Sequence, residues 1–242
     1  MIPAGELFDG WRRAPVCDLA EITGGAPLVV LSPHPDDESL GFGGLIARAR
    51  ARGDRVEVAI LTDGTGSHPG SASHPPSRLK SLREAETLRA LSELGVGAEH
   101  VTFLEAIDTK APREGPEFDA LASRIEQLIR SSGAETLLTT WEHDPHCDHE
   151  AAALIAKAAA KATGVRLMFA PVWGWTLPRD TALPEYRAIR LHVREFLPAK
   201  RRAIAAHVSQ MTALIDDTPD AFRLQPEFLK LFDQPWEVLL WS

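Results

Sequence analysis

Cysteine is scarce in this chain: two residues in 242, Cys17 and Cys147. Two thiols make no disulfide framework and fit a reducing compartment. A basic excess is missing as well, since 34 Asp and Glu against 26 Lys and Arg leave a formal net charge of −8. Without an electropositive footprint, no nucleic-acid partner is expected. No stretch reaches about 18 uninterrupted apolar residues, which argues against stable membrane insertion. The N-terminus shows no basic segment followed by an apolar core, so a cytoplasmic protein is the expectation. Internal repeats, low-complexity tracts and convincing linkers are absent. With 44% hydrophobic and 25% charged residues, the chain reads as one globular α/β domain over residues 1–242.

What is present alternates between strand and helix signals. Leu28 to Leu31 is a continuous apolar run, suited to a strand covered on both faces. Pro33 and Pro35 stop it. A helix over Leu45–Arg52 and a strand over Arg55–Thr62 complete a βαβ unit, expected to be parallel and right-handed. Residues 63–78 are rich in Gly, Ser and Pro and read as a long functional loop. Leu79–Leu94 reads as a helix closed by Gly95, His100–Leu104 as a strand, and 105–116 as a second loop. Phe118, Leu121, Ala122, Ile125, Leu128 and Ile129 recur at helical spacing. Thr136–Trp141 is a fourth strand, 150–162 an alanine-rich helix, and Arg166–Trp173 a fifth strand. Residues 174–185 read as a loop and Arg187–Val193 as an edge strand. A last helix opens at Pro198 with Ile204, Val208, Met211 and Ile215 on one face. Phe228–Phe232 and Trp236–Trp241 read as short strands, and Phe8 and Trp11 as an N-terminal cover.

Two dense polar clusters interrupt this pattern, each between a strand and a helix: Ser32-Pro-His-Pro-Asp-Asp-Glu38 and Glu142-His-Asp-Pro-His-Cys-Asp-His-Glu150. Ligands bind at the carboxyl ends of strands in open parallel sheets, so the two can meet at one edge. Catalytic zinc takes three protein ligands and keeps one position open. His34 and Asp37 lie three apart across a turn, and His149 can close the set. Asp36 must point away from its neighbour, which suits a general base for a metal-activated water. His146 can stabilise an oxyanion or protonate a leaving amine, with Asp148 orienting it. Two histidines and a carboxylate also suit Fe2+ as in non-heme oxygenases, although those use all-β barrels. Gly41-Phe-Gly-Gly44 fits a dinucleotide loop badly, because His34 to Leu40 separate it from the strand. Cys147 reads as a packed thiol, His143 as a solvated neighbour, and His68 and His74 as loop polar groups. Trp173 and Trp175 read as packing, with a sugar-stacking surface as the alternative.

Pro33-His-Pro-Asp-Asp-Glu38 closely resembles the (A/P)HPDDE motif of the PIG-L/LmbE-like de-N-acetylases. His146-Cys-Asp-His149 is similar to their HxDH motif, with Cys147 where members often have Pro. Arg83 and Glu86 followed by Leu94-Gly95 resemble the R-x-x-E…LG helix. Lys200 followed by His207-Val-Ser-Gln210 resembles the late K…H-x-S-Q helix. The resemblance spans residues 28 to about 232 and implies a Rossmann-like α/β fold, a three-layer sandwich with a mostly parallel sheet. It implies a divalent metal, usually Zn2+ with Fe2+ as the other option, held by His34, Asp37 and His149. It makes Asp36 the base, His146 the transition-state stabiliser with Asp148 beside it, and Arg83 a substrate contact. Lys200 and His207 are the further substrate-binding candidates. The implied reaction removes an N-acetyl group from a small-molecule amino-sugar conjugate containing GlcNAc. Cleavage of a larger acyl or thiol-conjugate amide and a catalytically silent sugar-binding member are the alternatives. The aglycone and the oligomeric state, a homo-oligomer included, stay open.

Overall fold

Leu28–Ser32 and Val56–Thr62 are buried at every position, as strands covered on both faces must be. The computed structural model describes residues 1–242. The chain opens with β1 (Ile2–Pro3), α1 (Ala4–Trp11), β2 (Val16–Cys17) and α2 (Leu19–Thr23). Its core follows as β3 (Leu28–Ser32), α3 (Asp37–Arg52), β4 (Val56–Thr62), α4 (Pro76–Glu93), β5 (Val101–Ala106), α5 (Gly115–Ser132), β6 (Thr136–Thr140), α6 (Cys147–Thr163) and β7 (Arg166–Ala170). It closes with β8 (Ala182–Leu183), β9 (Arg187–His192), α7 (Leu197–Ala206), α8 (Val208–Met211), α9 (Pro226–Leu229) and β10 (Trp236–Trp241).

The main sheet has eight strands in the order β2-β9-β10-β7-β6-β3-β4-β5, and β1 pairs with β8 alone. β7, β6, β3, β4 and β5 run parallel to one another, while β10 runs antiparallel to both β7 and β9. Alternate residues of β3 enter opposite layers, as the two-residue period of a strand dictates. Leu28 and Val30 pack with Phe42, Leu45 and Ile46 of α3 and Leu91 of α4. Val29 and Leu31 pack with Ile125 and Ile129 of α5 and Ile155 of α6. This is a three-layer α/β sandwich around a mostly parallel sheet.

Strand order reverses between β3 and β6. From β3 the chain steps to β4 and β5, then returns to place β6 on the other side of β3. The helices leaving β3 and β6 therefore diverge to opposite faces, and a crevice opens between their N-termini.

Four elements differ from the sequence reading. Helix α3 begins at Asp37, inside the polar cluster, because Asp37 and Glu38 in a first turn suit the positive end of a helix. Its glycines are tolerated because α3 is crowded: a Cβ on Gly44 would stand 2.5 Å from Val193 Cβ. The helix opening near Pro198 breaks at His207, whose φ of −80° and ψ of 60° end α7. Residues 226–229 form a helix started by Pro226, and β9 lies inside the sheet with β2 as its outer neighbour. Phe8 and Trp11 are buried in α1 against Trp141 and Phe169, as an N-terminal cover.

Candidate active site

The loops after β3 and β6 carry the two polar clusters into the crevice. A pocket of about 130 Å3 opens there, lined on its polar side by His34, Asp36, Asp37, Arg83, Asp108 and His146. Leu40, Trp173, Phe222 and Leu224 form its apolar wall.

Three side chains from the two clusters converge at its foot. His34 Nδ1 lies 3.0 Å and His149 Nε2 3.1 Å from Asp37 Oδ2. The outer nitrogen of each ring is taken by a carboxylate. His34 Nε2 lies 3.1 Å from Asp148 Oδ2 and 3.4 Å from Asp108 Oδ1. His149 Nδ1 lies 2.9 Å from Asp144 Oδ2. Carboxylates only accept, so with a metal ion on the inner nitrogens the outer ones would carry the hydrogens. That is how metal-binding imidazoles are held by outer carboxylates.

His149 Nε2 is the decisive atom. It is buried and has no hydrogen-bond partner, since the 3.1 Å approach to Asp37 lacks hydrogen-bond geometry. A buried imidazole nitrogen this close to a buried carboxylate oxygen calls for a cation between them, a proton or a metal ion. His34, Asp37 and His149 therefore form a candidate divalent-cation site. His34, His146 and His149 also bring nitrogens within 4.8 Å of one another, as do donors of His34, Asp108 and Asp148. The second set is less suited, because Asp148 already accepts from the backbone N–H groups of Thr109 at 2.7 Å and Ala111 at 3.1 Å.

The electrostatics agree. Burial alone lowers the His34 and His149 pKa values, but the hydrogen bonds and charges of the surrounding carboxylates outweigh it. His34 ends well above its usual value and His149 at about 9. Burial raises Asp37, but the charges of His149 and His34, together with the His34 hydrogen bond, pull it below the usual carboxylate range. The cluster attracts positive charge, and a metal would replace protons there.

Asp36 departs from Asp37. Burial pushes its carboxyl up to about 6, against the opposing charge of Arg83. Its backbone sits at φ 153°, where side-chain-bearing residues are rare. Glu38 holds this turn, accepting the Asp36 N–H at 3.1 Å. Arg83 lines the pocket with its donors directed to the protein: Gly64 O at 2.9 Å, Pro35 O at 2.8 Å and Asp36 Oδ2 at 3.3 Å. His146 caps α6, and its Nδ1 accepts from Asp148 N at 3.2 Å. Its Nε2 thus carries the hydrogen. Burial, then the charges of His34 and His149, lowers this ring to about 4, so it is a neutral donor near pH 7.

Three expected roles need correction. The Asp148 side chain holds His34, while His146 meets only its backbone N–H. Lys200 lies outside the pocket lining, buried, with Nζ 2.6 Å from Glu237 Oε1. His207 also lies outside the lining, with Nε2 3.2 Å from Glu38 Oε1 and 3.3 Å from Ser39 Oγ. Both are the wrong depth because helix spacing shows a shared face and leaves open which neighbour covers it. Sequence reasoning missed the parts played by Asp144 and Asp108. Asp144 had a signal, standing five residues before His149 in the same cluster, whereas Asp108 sits in a loop whose residue types give none. Cys147 is half-buried, with Sγ 3.4 Å from Thr109 O. Trp173 stacks on Phe228 at 4.2 Å while lining the pocket, and Trp175 packs on Phe8 and Trp11. His68 is buried and His143 packs edge-on against Trp141.

No helix is long and apolar enough to cross a membrane. A probable N-acetyl-α-D-glucosaminyl L-malate deacetylase 2 of Bacillus cereus is 27% identical, over 79% of this chain and 86% of its own. A 1D-myo-inositol 2-acetamido-2-deoxy-α-D-glucopyranoside deacetylase of Rhodococcus opacus is 29% identical, over 76% and 82%. Among solved structures, the N,N'-diacetylchitobiose deacetylase of Pyrococcus horikoshii superposes with a TM-score of 0.60 at 20% identity, covering 76% of this chain and 70% of that one; it shares the fold. The family model described as PIG-L: GlcNAc-PI de-N-acetylase matches residues 29–160, more than half of the chain, and the protein belongs to that family.

Proposed function

We propose that this protein is a zinc-dependent hydrolase that removes the N-acetyl group from a GlcNAc-containing sugar conjugate. The observation that carries the reading is the meeting of His34 Nδ1 and the unpartnered His149 Nε2 on Asp37 Oδ2, beside Asp36. Zinc held by these three residues would supply a Lewis acid for the amide carbonyl and an acidified water near pH 7. Asp36 takes the water's proton, for which a pKa of about 6 suits it. His146 donates Nε2–H to the oxygen that gains charge as the carbonyl carbon becomes tetrahedral. Asp36 then hands its proton to the departing nitrogen, leaving acetate and the free amino sugar. An acetamido group at the candidate metal site would leave the sugar at the pocket mouth, against Trp173 and Phe222.

The test is acetate release from a panel of GlcNAc conjugates by the protein stripped with chelator and reloaded with zinc. Release that requires the added metal supports the reading. A metal-loaded protein that releases acetate from none of them overturns it.

A further inference from the structure

The sequence motifs around Glu86 and Ser209-Gln210 have no part in the reaction as described, yet all three residues are fully buried. They form one chain of hydrogen bonds that ends at the pocket. Glu86 on α4 accepts the Ser209 backbone N–H at 2.8 Å and the Ser209 hydroxyl at 2.6 Å. The hydroxyl's only proton is thereby spent on a carboxylate. Toward its other neighbour, Ser209 Oγ can therefore only accept. That neighbour is Gln210, whose Nε2 lies 2.9 Å away and also 3.4 Å from Ser67 Oγ. An amide can be turned either way round, and here the network decides: the nitrogen faces the two serine hydroxyls and the oxygen takes the other side. Gln210 Oε1 is then buried without a hydrogen-bond partner, on a residue that lines the same pocket as His34 and Asp36.

We infer that Gln210 is a specificity-determining residue, whose Oε1, oriented by Glu86 through Ser209, accepts a hydrogen bond from a donor on the substrate next to the scissile bond. This rests on the deacetylase reading above. Two donors of a 2-acetamido sugar stand next to the scissile bond: the amide N–H itself and the hydroxyl on the adjacent ring carbon. A site built to accept a hydrogen bond rejects analogues that lack the donor, because its own buried oxygen is left unpaired. A merely structural glutamine carries no such preference.

The experiment crosses two proteins with three substrates. The zinc-loaded wild type and Gln210→Met are assayed on a 2-acetamido-2-deoxyglucoside, its 3-deoxy counterpart and its 2-O-acetyl ester isostere. Metal content and melting temperature confirm that the variant is folded and loaded. On the parent, Gln210→Met is expected to lower kcat/KM by about 10–100-fold, the worth of one buried substrate donor left without its acceptor. On the analogue that lacks the recognised donor, the same substitution should change kcat/KM less than about threefold. Coupling to the 3-deoxy sugar identifies the hydroxyl, and coupling to the ester identifies the amide N–H. Ser209→Ala, which frees the amide to turn, should narrow the wild type's preference for the parent over that same analogue. Equal losses on all three substrates overturn the inference and leave the deacetylase reading standing. A wild type silent on all three overturns that reading, and this inference with it.

Discussion

Asp36 and Asp37 are adjacent in sequence and opposite in electrostatic fate. Both are buried, which raises a carboxyl pKa. Asp37 faces two imidazoles that more than reverse the effect, while Asp36 faces one guanidinium that reverses only part of it. The positive φ at Asp36 separates the two side chains, with Glu38 accepting the Asp36 N–H to hold the turn. Asp36→Asn should therefore keep stoichiometric metal and lose about 10²–10⁴-fold in kcat. Metal analysis beside steady-state kinetics tests this, and an active Asp36→Asn enzyme would remove Asp36 from the mechanism. The base must be ionised to act, so kcat/KM should fall as pH drops through about 6. Arg83 lowers the Asp36 pKa, so Arg83→Met should move that acid limb to higher pH. A pH–rate profile in which the limb stays put or moves down would contradict the role given to Arg83.

At the scale of elements, the sheet was legible because β3 is a continuous apolar run and β4 and β6 are rich in apolar and β-branched residues, with turn residues at their ends. The candidate metal set could be proposed from sequence because its histidines and Asp37 crowd into two short clusters at strand ends. The surroundings were not. Lys200 and His207 fall on one face of a helical repeat, and no sequence pattern shows that β10 covers one and α3 the other. The helix itself breaks at His207, so Ile215 never joins the face it was expected to share. Glu237 makes the consequence concrete. It accepts the N–H groups of Gly44 and Leu45 at 2.8 Å each and pairs with Lys200 at 2.6 Å, all out of water. Removing one partner of a buried pair strands the other. Lys200→Met should thus cost about 3–5 kcal/mol of unfolding free energy while leaving KM for the sugar conjugate unchanged. Urea denaturation and kinetics together check this, and a raised KM with unaltered stability would restore Lys200 as a substrate contact.

At the scale of the molecule, the site exists only because strand order reverses beside β3. Residues 34–37 and 144–149 lie more than 100 positions apart, and α3 and α6 carry them away on opposite faces of the sheet. A metal between them would tie the two faces together at the carboxyl ends of β3 and β6. The unfolded chain holds these ligands far apart on average, so the folded state should bind the metal far more tightly. Saturating metal then stabilises by mass action, by about 2.7 kcal/mol at a free concentration 100 times Kd. For a chain of this size that is a rise of roughly 5–10 °C in melting temperature. Thermal unfolding with chelator and with graded zinc should show the rise. His149→Ala should abolish it, because it removes the ligand atom that has no other partner. Asp36→Asn should retain it, because Asp36 is assigned to the water's proton. If both variants lost the shift alike, Asp36 would belong among the ligands, and the division between the neighbouring carboxylates would fail.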